Sequence, residues 1–175
     1  MTEAIDQKLQ LVIDKQEIRD LSGTYMRGLD RLQKALVLSV FHDDARTDYG
    51  FFKGSAADFA EFAIGTLKDH HANHHFIGQT NIDVEGDIAF GEVYFQAFHR
   101  IVEDREEKDL FISGRYVDRY EKRNGVWKIS FRAELADWAR TDPATDVFMK
   151  NTPDALFGAR GDDDLSSQRE RLRTL

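Results

Sequence analysis

The sequence predicts an α+β fold in which helices come first and a long antiparallel meander follows. Three observations carry this prediction. Apolar residues recur at helical spacing through the first forty positions, the period changes near His74, and turn dipeptides then cut long runs rich in Val, Ile, Phe and Tyr. Helices followed by strands is an α+β order rather than βαβ alternation.

Taken in order, Ile5, Leu9, Val12, Ile13, Ile18 and Leu21 alternate with polar residues and predict a long first helix. Gly28 weakens that pattern, so a break is expected over Gly28–Arg31. Leu32, Leu36, Val37, Val40 and Phe41 then form a short second helix ending before His42-Asp43-Asp44. Ala45–Tyr49 reads as a short strand. Ser55 is a candidate N-cap for a helix through Phe59, Phe62, Ala63 and Leu67, expected to end near His71. Strands follow at about 75–84, 88–102, 109–122 and 126–139, separated by Glu85-Gly86-Asp87, the charged loop Arg105–Lys108 and Asn124-Gly125. The 88–102 strand is apolar on both faces, with Val93, Phe95 and Ala97 on one and Phe90, Tyr94 and Phe98 on the other. A strand covered by helix on one side and curving around a cavity has this pattern. One domain over residues 1–140 is therefore expected, with a 141–175 extension laid over it or over a neighbouring subunit. The last fifteen residues, Gly161–Leu175, read as a partly disordered polar tail.

A chain of 175 residues buries a sizeable core without staples, and thirteen Phe, five Tyr and two Trp supply its bulk. The absence of cysteine excludes disulfides, Cys-ligated zinc, iron–sulfur clusters and thiol nucleophiles, and fits a reducing cytoplasm. A net charge of −8 argues against nucleic acid, whose binding rests on clustered Lys and Arg. The longest apolar stretches, such as Ala35–Leu38, fall far short of the ~20 residues a membrane span requires. The amino end lacks the apolar region of a secretory signal. No phosphate loop, nucleophile elbow or dinucleotide fingerprint occurs, so no nucleotide cofactor is expected.

The chemistry-bearing residues cluster unevenly. His70, His71, His74 and His75 invite a metal reading, because i, i+4 histidines on a helix share an ion. That requires the helix to continue through His75, whereas Phe76-Ile77-Gly78 opens a strand. The plainer reading is solvated imidazoles at a helix C-terminus, where positive charge suits the dipole. Asp30 is either a cap for the second helix or a functional carboxylate. Tyr25 stands ~140° around an ideal helix from Asp30, so both face one cavity only if the helix unwinds near Gly28. Tyr49 and His99 taken singly are packing residues.

Together the pieces resemble a known family. Tyr25-x4-Asp30, Phe41-His42-Asp43-Asp44-Ala45, His74-His75-Phe76-Ile77-Gly78, Glu85-Gly86-Asp87-Ile88-Ala89 and the Tyr120–Lys128 stretch resemble the SnoaL-like branch of the NTF2-like superfamily, over roughly residues 10–140. The resemblance implies a cone: a curved antiparallel sheet wrapped around helices, with an open apolar pocket. It also implies a homo-oligomer, a trimer in preference to a dimer. Within that branch the likeness is to cofactor-free lyases: scytalone dehydratase, bile-acid 7α-dehydratase and hexachlorocyclohexane dehydrochlorinase. Leu29 and Tyr116 stand where the first of these has a tyrosine and a substrate-contacting asparagine, which argues against scytalone as the substrate. The resemblance implies His75 as base, Asp30 as its orienting carboxylate, and Tyr25, Tyr49 and His99 as hydrogen-bond donors.

That assignment matches what elimination needs. A base poised near neutrality must reach a carbon-bound proton, and a donor must assist the departing group. Imidazole, with a reference pKa of about 6.5, suits the first task, and a carboxylate on its other nitrogen holds the tautomer. Phe52, Phe76, Phe95, Phe98, Tyr116 and Trp138 are expected as substrate-binding residues for a small, hydrophobic aromatic or polycyclic substrate, with Phe148 or Phe157 closing the mouth. Metal and cofactor are not expected. Two rivals stand beside this reading: a non-catalytic ligand-binding or dioxygenase β-subunit-like scaffold, and a ketosteroid-isomerase-like enzyme with Asp30 itself as base. A carboxylate facing solvent would favour the scaffold.

Overall fold

The helical pattern at the amino end runs unbroken through Gly28 to the end of α1 (Thr2–Asp30). The structure, a computed structural model, describes residues 2–174, so the outermost residues of the expected domain and tail, Met1 and Leu175, lie outside it. Gly28 does not loosen the helix. A Cβ there would lie 2.8 Å from both Cγ2 and N of Val37, so glycine permits close approach of α2 (Lys34–Ser39). The helix ends where Leu32 takes φ +53° and Gln33 N–H donates to the Gly28 carbonyl at 2.8 Å. From Asp14 onward α1 is gripped by the sheet. Trp127 Nε1 and Lys122 Nζ donate to its carboxylate at 2.9 and 2.8 Å, and Ile18 is fully buried, a burial that stabilises by roughly 1.5–3 kcal/mol.

The strands are β1 (Phe41–Asp48), β2 (Lys53–Ser55), β3 (Ala72–Glu85), β4 (Ile88–Glu103), β5 (Glu106–Arg123) and β6 (Val126–Pro143). They form one sheet in the order β2-β1-β6-β5-β4-β3. All pairs are antiparallel except β1 with β6, so the sheet is mixed. The parallel pairing also draws His42-Asp43-Asp44 into β1 instead of leaving them at a helix exit, because Phe41 pairs with Ile129. Ser55 caps α3 (Ala56–Leu67), its hydroxyl accepting from Asp58 N–H at 3.0 Å. The helix stops at Leu67, and the chain turns at His70 and His71 into the edge strand β3. Gly86 and the Asn124-Gly125 pair take positive φ in their tight turns, and Asp104-Arg105 does so without any glycine, which shortens the expected charged loop.

The curved sheet stays open and wraps α1 and α3 as a cone. Register shifts at Gly78-Gln79 in β3 and at Ser130 and Asp137 in β6 each insert one extra residue. Gly114 faces the last of these, where a Cβ would lie 2.1 Å from the Leu135 carbonyl oxygen. Beyond β6, α4 (Phe148–Asn151) leaves Val147, Phe148, Met149 and Leu156 exposed. The expected disordered tail is instead turned back onto α1 through two 3-10 turns, Gly161–Asp163 and Leu165–Ser167. The anchors are specific. Arg31 donates to the Ala159 carbonyl at 2.7 Å and to Asp164 at 3.0 Å, and Arg27 donates to the Ser166 and Ser167 hydroxyls. Among the described residues no helix is long and apolar enough to cross a membrane.

Candidate active site

The last residue of α1 meets the exposed edge of the sheet. Because β3 has no strand on its outer side, the N–H of His75 is free of the ladder, and it donates to both oxygens of Asp30 at 3.2 Å. The His75 ring, on the inner face, brings Nδ1 to 2.7 Å from Asp30 Oδ1. Asn73 Nδ2 donates to the same oxygen at 3.0 Å. Asp30 is 8% exposed and does not cap α2, whose N-cap position is Gln33. Because an ionised carboxylate only accepts, Nδ1 of His75 carries the proton, which leaves the Nε2 lone pair as the basic position.

Small side chains lie on the inner face beside this ring. His75 pairs with Ala97, and the next row runs Phe95, Gly114 and Ala136. Between the end of α1 and β3 lies a groove of about 450 Å3, lined by Asp30 and His75 with Met26, Phe76 and Ile77 and by Gly158, Asp164 and Ser166 of the returning segment. His99, buried on β4, packs its ring centroid 5.2 Å from that of His75, and its Nδ1 is 3.3 Å from Nδ1 of His70.

Deeper in the cone the tyrosines form a second cluster. Tyr25 does not reach the dyad. Its hydroxyl meets that of Tyr49 at 2.8 Å, and the Tyr49 ring stacks on Phe59 at 3.7 Å. Burial pushes the Tyr25 phenol up to about 12 and raises those of Tyr49 and Tyr116, so all three are donors at neutral pH. Since α1 stays helical, Tyr25 and Asp30 face different neighbours, as the ideal helical angle requires.

Between Tyr25 and Tyr116 lies Arg132, with 0% of its side chain exposed. Its guanidinium carbon sits 4.4 Å and 4.1 Å from the two ring centroids. Nε and Nη2 donate to Asp118 at 2.8 and 2.7 Å, while Nη1 has no hydrogen-bond partner among the described residues. Burial opposes its charge, but the Asp118 carboxylate more than offsets this and holds the guanidinium pKa high. Two positions on, Glu134 pairs with Tyr116 in the ladder, and burial raises its carboxyl pKa. Sequence reasoning missed Arg132, Glu134 and Asn73. Counting alternate residues from Trp127 and Ile129 points Phe131 inward; the extra residue at Ser130 reverses the face. Asp118, set between Tyr116 and Tyr120 at strand period, was the one legible sign of a buried charge needing a partner.

The chain matches the SnoaL-like domain family over residues 10–133. It belongs to that family. It is 27% identical over 128 residues to hexachlorocyclohexane dehydrochlorinase 1 of Sphingobium indicum, covering 70% of this chain and 80% of that one. Among solved structures it resembles a hexachlorocyclohexane dehydrochlorinase from Novosphingobium barchaimii, with a TM-score of 0.71, 22% identity and coverage of 79% and 96% of the two chains. It also resembles a Novosphingobium aromaticivorans protein provisionally described as a scytalone dehydratase, with a TM-score of 0.66, 21% identity and coverage of 83% and 99%. These structural likenesses speak for the NTF2-like α+β cone, and the dehydrochlorinase kinship supports an enzyme of lyase type.

In this SnoaL-like protein the expected wall residues divide. Phe95 stacks on Tyr116 at 4.6 Å inside the cone, and Phe52 packs on Phe59 and Phe62 away from the dyad. Phe76, 63% exposed, alternates with His75 and borders the groove from the outer face. Phe98 alternates with His99 and packs outside on Phe111. Trp138, 49% exposed, pairs with Ser113 on the outer face because the extra residue at Asp137 turns it out. These last two do not face the dyad. His74 and His75, adjacent on a strand, point to opposite faces, so the helical spacing that the metal reading required does not occur, as the expected end of the helix near His71 implied.

His99 gives the site a pH signature. Burial first, then the neighbouring imidazoles of His75 and His70, lower its pKa to about 3. In the unfolded chain the same group titrates near 6.5. Between these values the unfolded chain holds a proton that the folded chain lacks, so the contribution to stability is full above pH 6.5 and declines as pH falls toward 3. The slope is about 1.4 kcal/mol per pH unit. Denaturant midpoints measured from pH 7 to pH 4 should therefore fall less steeply in His99→Gln than in the wild type. Equal slopes would mean that His99 titrates normally.

Proposed function

We propose that this SnoaL-like protein is a cofactor-independent lyase acting on a bulky, hydroxylated aromatic or polycyclic substrate. The observation that carries the reading is the buried Asp30–His75 pair, in which Oδ1 of the carboxylate takes three donors, one of them His75 Nδ1–H, and the imidazole keeps one free lone pair. His75 Nε2 takes a proton from a substrate carbon, and that C–H electron pair becomes the new C=C bond. The bond to the leaving group breaks on the neighbouring carbon, and its electrons depart with the leaving group. Asp30 holds the ring and stabilises the imidazolium. In the deeper cluster, Nη1 of Arg132 and the one hydroxyl of the Tyr25–Tyr49 pair that does not donate to the other are donors for a departing oxygen or halide. His99, neutral by virtue of its burial, is a second donor near the base. Asp30 spends Oδ1 on three donors and holds the His75 ring, which fits an orienting carboxylate better than the base of the isomerase alternative.

A screen of hydroxylated aromatic and steroid compounds and of polychlorinated cyclohexanes, with chelator present, tests the proposal. Elimination gives an alkene followed by ultraviolet absorbance and releases water or chloride; release of formaldehyde instead has His75 take a hydroxymethyl O–H proton, with the C–C electrons forming the alkene as hydroxide leaves the next carbon. Tight binding of such compounds without turnover would favour the scaffold reading.

The outer face of the sheet leaves Phe90, Val117, Phe131, Leu135 and Trp138 exposed, and grouped apolar side chains of this kind mark interaction surfaces. We assign it to contact with further copies of this chain, a trimer in preference to a dimer. Light scattering should give three times the chain mass; a monomer at micromolar concentration would reject the assignment.

A further inference from the structure

We infer that Arg160, contributed by a segment that follows the whole α+β cone, is a positioning residue that holds the dyad in register through Asn73. Three contacts place it. Arg160 Nη2 donates to Asn73 Oδ1 at 2.7 Å and to the His70 carbonyl at 3.0 Å, and Nη1 donates to the Leu67 carbonyl at 2.8 Å. One side chain thus joins the end of α3, the turn after it and the start of β3.

The consequence lies in the amide of Asn73. A primary amide can be turned over at little steric cost, and its two ends are opposite in hydrogen-bonding character. A guanidinium only donates, so it selects the amide oxygen. Nδ2 is then forced toward Asp30, where it donates at 3.0 Å to the oxygen that also accepts from His75 Nδ1. Turned the other way, the amide oxygen would face the carboxylate and repel it. The chain guanidinium–amide–carboxylate–imidazole therefore has one polarity, set from its outer end. That end is itself fixed, since Ala159 and Gly161 on either side of Arg160 bond to Arg31 through its guanidinium and its backbone carbonyl, at 2.7 Å each. Arg31 immediately follows Asp30, so the segment grips the site from two directions.

This inference rests on the lyase reading for its effect on turnover, but the geometry has a readout that needs no substrate. The Nδ1–H proton of His75, bonded to a buried carboxylate, gives a far-downfield proton NMR resonance, assigned by its loss in His75→Gln. In Arg160→Met that resonance should shift and broaden through exchange with water, and Asn73→Ala should do the same. Arg160→Lys, which still offers a donor to Asn73, should restore a sharp line. With a turned-over substrate, kcat in Arg160→Met should fall about 10-fold with KM within twofold, the scale on which outer-shell partners act, and the Arg160→Met/Asn73→Ala double variant should be no worse than either single one. If Arg160→Met fails to fold, Asn73→Ala and Arg160→Lys carry the test. An unshifted, sharp resonance in folded Arg160→Met, or in Asn73→Ala, overturns the inference. A resonance that responds as expected in a protein that eliminates nothing would leave the positioning intact and remove the lyase reading.

Discussion

His75→Ala and Asp30→Asn are each expected to lower turnover by roughly 10²–10⁴-fold, the range for loss of a positioned general base. The two changes act by different routes. His75→Ala removes the Nε2 lone pair outright. Asp30→Asn keeps the shape and removes the charge: His75 N–H, His75 Nδ1–H and Asn73 Nδ2 all reach Oδ1, where an amide oxygen could still accept, but an amide NH2 in the place of Oδ2 would meet the His75 N–H. Without the carboxylate charge the imidazolium formed on proton transfer loses its stabilisation. Turnover on the substrate found by screening, with circular dichroism to verify folding, measures both. Wild-type rates in the two variants would place the base elsewhere.

The second large effect is on stability. Arg132→Met should destabilise the fold by about 3–5 kcal/mol, because it strands the fully buried Asp118 without its bidentate partner. Tyr120 Oη, donating to Asp118 at 2.7 Å, is too little compensation for a charge in that environment. For a chain of this size such a loss lowers the melting temperature by roughly 6–20 °C. The paired variant Arg132→Met/Asp118→Leu should recover most of it, since removing both charges removes the desolvation cost of each. Singles that melt like the wild type would show that the pair contributes nothing. Arg132→Met also deletes the free Nη1 donor, so any loss of turnover in the stable double variant reports the role proposed for that donor.

Asp30 and His75 illustrate how far sequence reading reaches into this site. Their residue types and their place in a resemblance were legible, yet the residues themselves offered an ordinary cap and a solvated imidazole as alternatives. Forty-five positions separate them, and no local pattern encodes that the end of α1 lies against an edge strand. Gly28 misled for a related reason: a glycine in a helix signals weakness when read along the chain, whereas across the chain it marks the place where α2 comes within 2.8 Å. Two of the expected wall aromatics were misplaced by alternation, since His75 with Phe76, and His99 with Phe98, cannot share a face of a strand.

The order of helices before strands, the Ser55 cap and the turns at Gly86 and Asn124-Gly125 were determined by the sequence itself, because each depends on side chains within a few residues of one another. The inward turn of Arg132, the outward turn of Trp138 and the grip of Arg160 on Asn73 were decided only by the tertiary structure. A single inserted residue in a strand exchanges its two faces. Whether it is inserted depends on how distant strands and a returning segment settle against each other, which no stretch of the chain carries alone.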